Sequence, residues 1–588
     1  MNAWIGLMRC AAAVTLGLAL GAQGAPYLQA HYHKREALVP MRDGTRLFTA
    51  IYTPAGPGPF PVLLHRTCYG IGPYGPEAYP EQLGPSAELA REGFIFVNQD
   101  VRGKMMSEGT FQEMTPLRDG RGVDEATDAW DTIDWILRQV PGNNGRVGAW
   151  GISYPGFYAA CALVDAHPAL RAVSPQAPMA DLFAGDDDHH NGALFLAQTF
   201  WFDAVYGQPR PRPTALEPEP PEFAQDATDA YRFFLDLGPL ANADARHFHG
   251  RIQVWADAMA HGTYDAYWRA RNLRPHLKDI RPAVLTVGGW HDPEDLFGTL
   301  QVHQRMGPRG ILVMGPWDHG GWAGDSREPT AAFYREEIEA PFFRQHLKGA
   351  PDPGLPGAFV YDTGSGAWRR FASWPPPGIR PTPLYLQDGG RLSFQASGAP
   401  GFERFTSDPA HPVPHTALPE ARVSSGFMVE DQRFAARRAD VLVYQGPPLT
   451  GPVTVAGPLQ ARLRVSTSGT DADWVVKLID VQPGDGAQRL VRAEVMRGKF
   501  RRSLETPEPF VAGRPTAVEF SLNDICHTFA KGHRIMVQVQ SSWFPLVDRN
   551  PQRFMDIYHA KEGDFRKAEH RVYHGSSLVL PLLGPSDP

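Results

Sequence analysis

A chain of 588 residues is too long for a single hydrophobic core and predicts two or three domains. Hydrophobic residues at 43% and charged residues at 21% are ordinary for a globular protein, so a sizeable core can form. A formal charge of -7 and the lack of any Lys/Arg tract argue against nucleic acid as a partner.

At the N-terminus, Arg9 precedes an apolar run from Cys10 to Leu20, and the small residues Ala22 and Gly24 suit cleavage before Ala25. Residues 1–24 are therefore expected to be a signal peptide, and the protein to be secreted or periplasmic. The run is too short to span a bilayer, and no later stretch reaches about 18 uninterrupted apolar residues, so no membrane partner is expected. Beyond that segment, Cys68, Cys161 and Cys526 have no metal-ligand spacing and read as packing residues. No metal or other cofactor is expected.

From residue 35 to 165, short apolar runs alternate with amphipathic segments. Pro61–Leu64, Gly93–Val97 and Arg146–Trp150 read as buried strands. Between the last two, Ala126, Ala129, Ile133 and Ile136-Leu137 recur at helical spacing. Asp124, Glu125 and Asp128 favour the positive end of that helix. The alternation predicts a parallel sheet covered on both faces.

Residues 175 to 275 differ. Aromatic and Ala-rich segments, 195–206, 227–237 and 252–271, are interrupted by a proline-rich stretch, which predicts a helical cap insertion lying over the sheet. Strands resume at Ala283–Val287 and Gly310–Met314. A break at Trp374-Pro-Pro-Pro-Gly378 follows, and Val441–Tyr444, Leu459–Val465 and Ile535–Gln540 then alternate with period two. The expected organisation is an α/β domain over 25–372, with the insertion at about 175–275, and a C-terminal β-sandwich over 380–588.

The sharpest local signal is Gly151-Ile-Ser-Tyr-Pro-Gly156, directly after a strand and before an apolar run. In a nucleophile elbow the serine occupies a strained strand-to-helix turn, and bulky residues at the glycine positions would clash. Ser153 is thus the candidate nucleophile. Strand 283–287 runs into Gly288-Gly-Trp-His-Asp-Pro-Glu-Asp295, and strand 310–314 into Gly315-Pro-Trp-Asp-His319. The order Ser, Asp, His at strand ends assigns His319 as general base and Asp292 as its orienting acid. Asp318 and His291 compete for these roles from turn positions. His189 and His190, after three aspartates, are candidates for lining a pocket.

Together with Val39–Gly44, His65–Tyr69, Gln99–Lys104 and Asp128–Trp135, these motifs resemble the X-Pro dipeptidyl-peptidase/cocaine esterase family, and within it most closely the α-amino acid ester hydrolases. The resemblance implies an α/β-hydrolase domain with a helical cap and a galactose-binding-like jelly roll. It also implies an oxyanion hole of the Tyr69 hydroxyl and the Tyr154 backbone N–H. A carboxylate cluster of Asp187, Glu294 and Asp295 would bind the α-ammonium of the substrate. The bland reading makes Glu294 a helix cap and residues 186–188 a solvated loop. Pro155, Cys68 and His189-His190 depart from the family pattern, which bears on acyl preference and not on the triad.

The leading expectation is a serine hydrolase that cleaves esters or amides of α-amino acyl groups, including β-lactam side chains. A plain carboxylesterase, an X-Pro dipeptidyl-peptidase and a glycan-binding protein on a dead hydrolase scaffold are the alternatives. The expected partner is a small ester or amide, with homo-oligomerisation left open.

Overall fold

The computed structural model describes residues 24–118, 122–216, 219, 221, 228–323, 328–398 and 400–584. The expected signal peptide lies outside these residues, apart from Gly24. The chain forms two compact units. The first comprises the described residues among 1–180, 210–217 and 270–359; the second those among 181–209, 218–269 and 360–588.

The first unit is built on a mostly parallel sheet. It includes the strands β1 (Tyr32–Pro40), β2 (Arg46–Pro54), β3 (Phe60–Thr67), β4 (Ile95–Asp100), β5 (Asn143–Ile152), β6 (Leu170–Gln176), β7 (Ala283–Gly289) and β8 (Gly310–Gly315). They lie in the order β1-β2-β4-β3-β5-β6-β7-β8. β1 and β2 pair antiparallel, and β2 joins β4 antiparallel. Every pairing from β4 to β8 is parallel. Strands β3, β4, β6 and β7 are buried along nearly their whole length, as expected for a sheet covered on both faces. The predicted strands hold, most of them extended by one to a few residues, while the one expected at 93–97 is shifted to Ile95–Asp100. The antiparallel β1–β2 pair was not foreseen.

Helix α1 (Glu125–Gln139) follows β4 and begins with a capping box. The Asp124 carboxylate accepts from the Thr127 N–H and the Thr127 hydroxyl accepts from the Asp124 N–H, both at 2.9 Å. The other two acids predicted to serve the helix dipole do more specific work. Glu125 pairs with buried Arg66 at 3.0 Å and Asp128 with Arg102 at 2.8 Å. All three remaining cysteines are buried and unbridged, in keeping with packing roles.

In the second unit the C-terminal strands are long and antiparallel: β9 (Val453–Thr467), β10 (Asp473–Val481), β11 (Gln488–Arg497), β12 (Thr516–Phe529) and β13 (Arg534–Gln540). β9 pairs with β12, and β10 lies between β11 and β13. The fold class is therefore the expected one, an α/β-hydrolase domain followed by an antiparallel β-domain.

Most of the insertion, the described residues among 181–209 and 218–269, belongs to the second unit, and the reason is packing. Ala193 and Phe195 are buried in one apolar cluster with Val475, Ile479, Leu490 and Trp543 of the C-terminal strands. The run expected to be helical over 252–271 is two helices, Gln253–Ala260 and Ala266–Arg271. The turn between them is held by the Trp268 indole N–H donating to the His261 carbonyl at 2.7 Å. No helix among the described residues is long and apolar enough to cross a membrane.

Candidate active site

Ser153 stands between β5 and helix α2 (Tyr154–Cys161), with φ 67° and ψ -130°. A non-glycine residue at positive φ is strained by about 1–3 kcal/mol and persists only where its surroundings enforce it. The surroundings are plain. The Ser153 N–H donates to the Gln176 carbonyl at the end of β6, and the Ser153 carbonyl accepts from the Phe157 N–H, both at 3.0 Å. A Cβ on Gly151 would lie 2.3 Å from the Pro155 carbonyl oxygen, and one on Gly156 would lie 2.3 Å from the Gln176 carbonyl oxygen. Only glycine fits either position, which is the physical content of the Gly-x-Ser-x-x-Gly spacing.

The half-buried Tyr69 brings its hydroxyl to 3.4 Å from Ser153 Oγ. Its ring stands edge-on to that of Tyr154, with centroids 6.5 Å apart. The Tyr154 hydroxyl is occupied elsewhere, accepting from the Met114 N–H at 2.7 Å, and burial pushes its phenol well above the ordinary range. What Tyr154 can offer to an oxyanion is its backbone N–H, in the first turn of α2 where donors point outward.

The ends of β7 and β8 are stitched together. The Trp290 N–H donates to the Gly315 carbonyl and the His291 N–H to the Trp317 carbonyl, both at 2.9 Å. A Cβ on Gly289 would meet the Trp317 carbonyl oxygen at 2.2 Å, so the glycine permits this close approach. The two loops then bring Asp292 and His319 face to face, with His319 Nδ1 3.0 Å from Asp292 Oδ2. Asp292 is buried, and its Oδ1 accepts from the N–H groups of Glu294 and Asp295 at 2.9 and 3.1 Å. Burial alone would raise this carboxyl. The His319 charge and hydrogen bond, with the two backbone donors, outweigh it and hold Asp292 below its ordinary value. An ionised Asp292 fixes the proton of a neutral imidazole on Nδ1 and leaves Nε2 as the proton-accepting nitrogen.

Two further carboxylates approach the same ring. Glu294 Oε2 lies 3.5 Å from His319 Nε2, and Asp295 Oδ2 lies 3.8 Å from Nδ1. Glu294 does not stand at the start of the helix that follows; Asp295 is the N-cap of α3 (Leu296–Met306) and makes no side-chain cap hydrogen bond. Glu294, Asp295 and His319 offer ligand atoms within 4.8 Å of one another.

Ser153, Tyr69, Tyr154, Asp292, Glu294, Asp295 and His319 thus all belong to the first unit. Asp187 belongs to the second, where it accepts from the Gln198 side-chain amide at 3.5 Å. The neighbouring Asp186 and Asp188 are buried, so residues 186–188 are not a solvated loop. His189 and His190 are also buried in the second unit. His189 Nε2 meets the Tyr558 hydroxyl at 2.5 Å, and burial pushes its ring down to about 3. His190 pairs with Glu494 at 2.9 Å and stacks on Phe195. Of the competitors for the triad, Asp318 is exposed, and His291 Nδ1 faces the Pro316 carbonyl at 3.3 Å.

A parallel sheet with a strained serine turn at an interior strand, and an Asp–His pair at the ends of two later strands, defines an α/β-hydrolase of the serine type. The comparisons with known proteins narrow this class. The family model for X-Pro dipeptidyl-peptidase (S15 family) matches residues 43–321, and that for the X-Pro dipeptidyl-peptidase C-terminal non-catalytic domain matches residues 354–578. A cocaine esterase from Rhodococcus sp. (strain MB1 Bresler) is 32% identical over 93% of this chain and 98% of its own. An α-amino acid ester hydrolase of known structure is 36% identical, with a TM-score of 0.86 over 97% of this chain and 98% of its own. An aminopeptidase from the marine sediment archaeon Thaumarchaeota archaeon is 33% identical, with a TM-score of 0.88 over 98% of this chain and 100% of its own. The chain belongs to the X-Pro dipeptidyl-peptidase (S15)/cocaine esterase family of serine hydrolases, which act on small-molecule substrates.

Proposed function

We propose that the protein hydrolyses esters or amides of α-amino acids, β-lactam side chains among them, through an acyl-enzyme on Ser153. Ser153 Oγ attacks the carbonyl carbon while His319 Nε2 takes its proton, with Asp292 stabilising the imidazolium. The Tyr69 hydroxyl and the Tyr154 N–H receive the charge that develops on the carbonyl oxygen. His319 returns the proton to the departing alcohol or amine. Water, deprotonated by the same ring, then releases the acid.

The observation that carries the α-amino preference is the charge around His319. Asp292, Glu294 and Asp295 all stand within 3.8 Å of one imidazole, which can neutralise at most one of them. Carboxylates crowded in a partly buried site repel one another, and a bound ammonium relieves that repulsion. The similarity to an α-amino acid ester hydrolase at 36% identity supports the same reading. The assignment of Asp187 to this cluster rests on the family resemblance alone. Export through the apolar run at 10–20 is proposed on its composition.

Replacing Glu294 by Gln removes one charge and little volume. KM for a free-amine ester such as phenylglycine methyl ester should rise about tenfold, equivalent to about 1.4 kcal/mol, while kcat/KM for the N-acetylated ester stays within twofold. Equal losses on both substrates would overturn the charge-selection reading. The cocaine esterase likeness supports a plain carboxylesterase as second reading, which predicts that N-acetylation leaves wild-type turnover unchanged.

A further inference from the structure

We propose that Gln176 is a positioning residue that locks the serine turn to the loop carrying the base, so that Ser153 and His319 are held in one fixed relation. The proposal rests on the reading of these two residues as nucleophile and base.

Gln176 is the last residue of β6 and is 1% exposed. Its main chain serves the nucleophile side. The carbonyl accepts from the Ser153 N–H at 3.0 Å and is the atom that a side chain at position 156 would strike. Its side chain serves the base side. Oε1 accepts from the Trp322 indole N–H at 2.7 Å.

Trp322 is tied to His319 through hydrogen-bonded turns. The Gly321 N–H donates to the Asp318 carbonyl at 3.2 Å and the Ala323 N–H to the Gly320 carbonyl at 2.9 Å, so residues 318–323 form consecutive tight turns. The indole is 1% exposed and packs against Trp317, with ring centroids 5.4 Å apart. Arg335 adds a hydrogen bond to the Trp322 carbonyl at 3.1 Å.

The orientation of the Gln176 amide is itself fixed. Its Nε2 donates to Glu339 Oε1 at 2.8 Å and to the Ser174 hydroxyl at 3.1 Å, and the Tyr334 hydroxyl donates to the same Glu339 oxygen at 2.9 Å. With both amide hydrogens engaged, the oxygen can point only at Trp322. Burial raises the Glu339 carboxyl to about 7 against the donors Gln176 and Tyr334. A buried group of this cost, with no role in the triad, is consistent with a network retained for geometry.

Nucleophile and base sit on loops 166 residues apart in sequence, and misplacement by about 1 Å can cost on the order of a hundredfold in rate. One amide spanning the two loops is an economical constraint on that distance. The link touches neither substrate nor the reacting atoms, so its loss should appear in kcat and not in KM.

The test compares Gln176→Leu, Trp322→Phe and the double variant with wild type on a p-nitrophenyl ester, after a fluorophosphonate probe has been mapped on wild type. Each single variant should lower kcat at least tenfold with KM within twofold. Because both remove the same bond, the double variant should lose no more than about twofold beyond the worse single. Trp322→Phe keeps a buried ring, so it remains a fair test if Gln176→Leu fails to fold. A kcat within twofold of wild type in Trp322→Phe, or losses that multiply in the double variant, would overturn the link. A wild type that carries no adduct on Ser153 would instead overturn the reading of the site on which the link rests.

Discussion

Asp292 shows how much of the site is decided by single groups. The carboxyl is buried, where it would ordinarily be neutral, and is kept ionised by one imidazole and two backbone donors. Its folded-state value lies below its unfolded one. The stability it contributes is therefore complete above the ordinary carboxylate range near 4 and disappears only as pH falls through the depressed value. Asp292→Asn leaves the shape intact but reverses the preferred tautomer of His319. Steady-state kinetics should show kcat reduced on the order of 10⁴-fold, the magnitude known for the equivalent change in the Ser-His-Asp proteases, with KM little altered. At this scale the sequence was legible wherever a residue type carries its own chemistry. Ser153, Asp292 and His319 could be singled out as candidates because each lies just beyond the end of a strand with glycine close by. Gln176, Trp322 and Glu339 could not, because a glutamine at the end of a strand has no motif. Its partners lie 146 and 163 residues away and meet only in the folded chain.

At the scale of elements, the strand-to-helix turn is specified by what it excludes. The positions of Gly151 and Gly156 leave no room for a methyl group against backbone carbonyls, which cannot move aside as a flexible side chain would. Gly156→Ala should therefore destabilise the first unit by roughly 1–3 kcal/mol and displace α2 from β6. A lowered melting temperature together with loss of probe labelling is the expected outcome, and an active variant melting as wild type would contradict it. Apolar runs predicted the parallel strands well, since burial on both faces leaves a continuous hydrophobic signature. They predicted less well where period and turn conflict. The apolar spacing of 252–271 continues across the break at 261–265, where Asp265 accepts from both the His261 ring and the Tyr267 N–H and starts a new helix.

For the molecule as a whole, the division into units was only partly legible. The two sheets were readable from composition and period. The allegiance of the insertion was not, because it depends on where Ala193 and Phe195 find an apolar cluster, which no local pattern reveals. The β-domain also contains charges that sequence alone would place at the surface. Arg497 is buried between Asp473 and Asp548, at 2.9 and 2.6 Å. Lys477, in the middle of β10, is buried with its ammonium on the Gln432 side-chain oxygen at 2.8 Å. Burial pushes this lysine down to about 7, against about 10.4 in the unfolded chain. Between those values the unfolded state binds more protons, so this group makes stability rise with pH across that window. Below 7 the full cost of burying the cation is present. In Lys477→Met that cost is absent, so the melting temperature of the variant relative to wild type should be highest at or below pH 7 and decline toward pH 10. A difference independent of pH would show that Lys477 does not titrate in this window.

The chemistry of the site centres on one atom, Ser153 Oγ, at the strained turn and 3.4 Å from the Tyr69 hydroxyl. The most direct test is mass-spectrometric mapping of the adduct formed when the full chain reacts with a fluorophosphonate. One adduct per chain is expected, on the peptide containing Ser153, and none in Ser153→Ala. An unlabelled wild type, or an adduct on any other residue, would contradict this expectation.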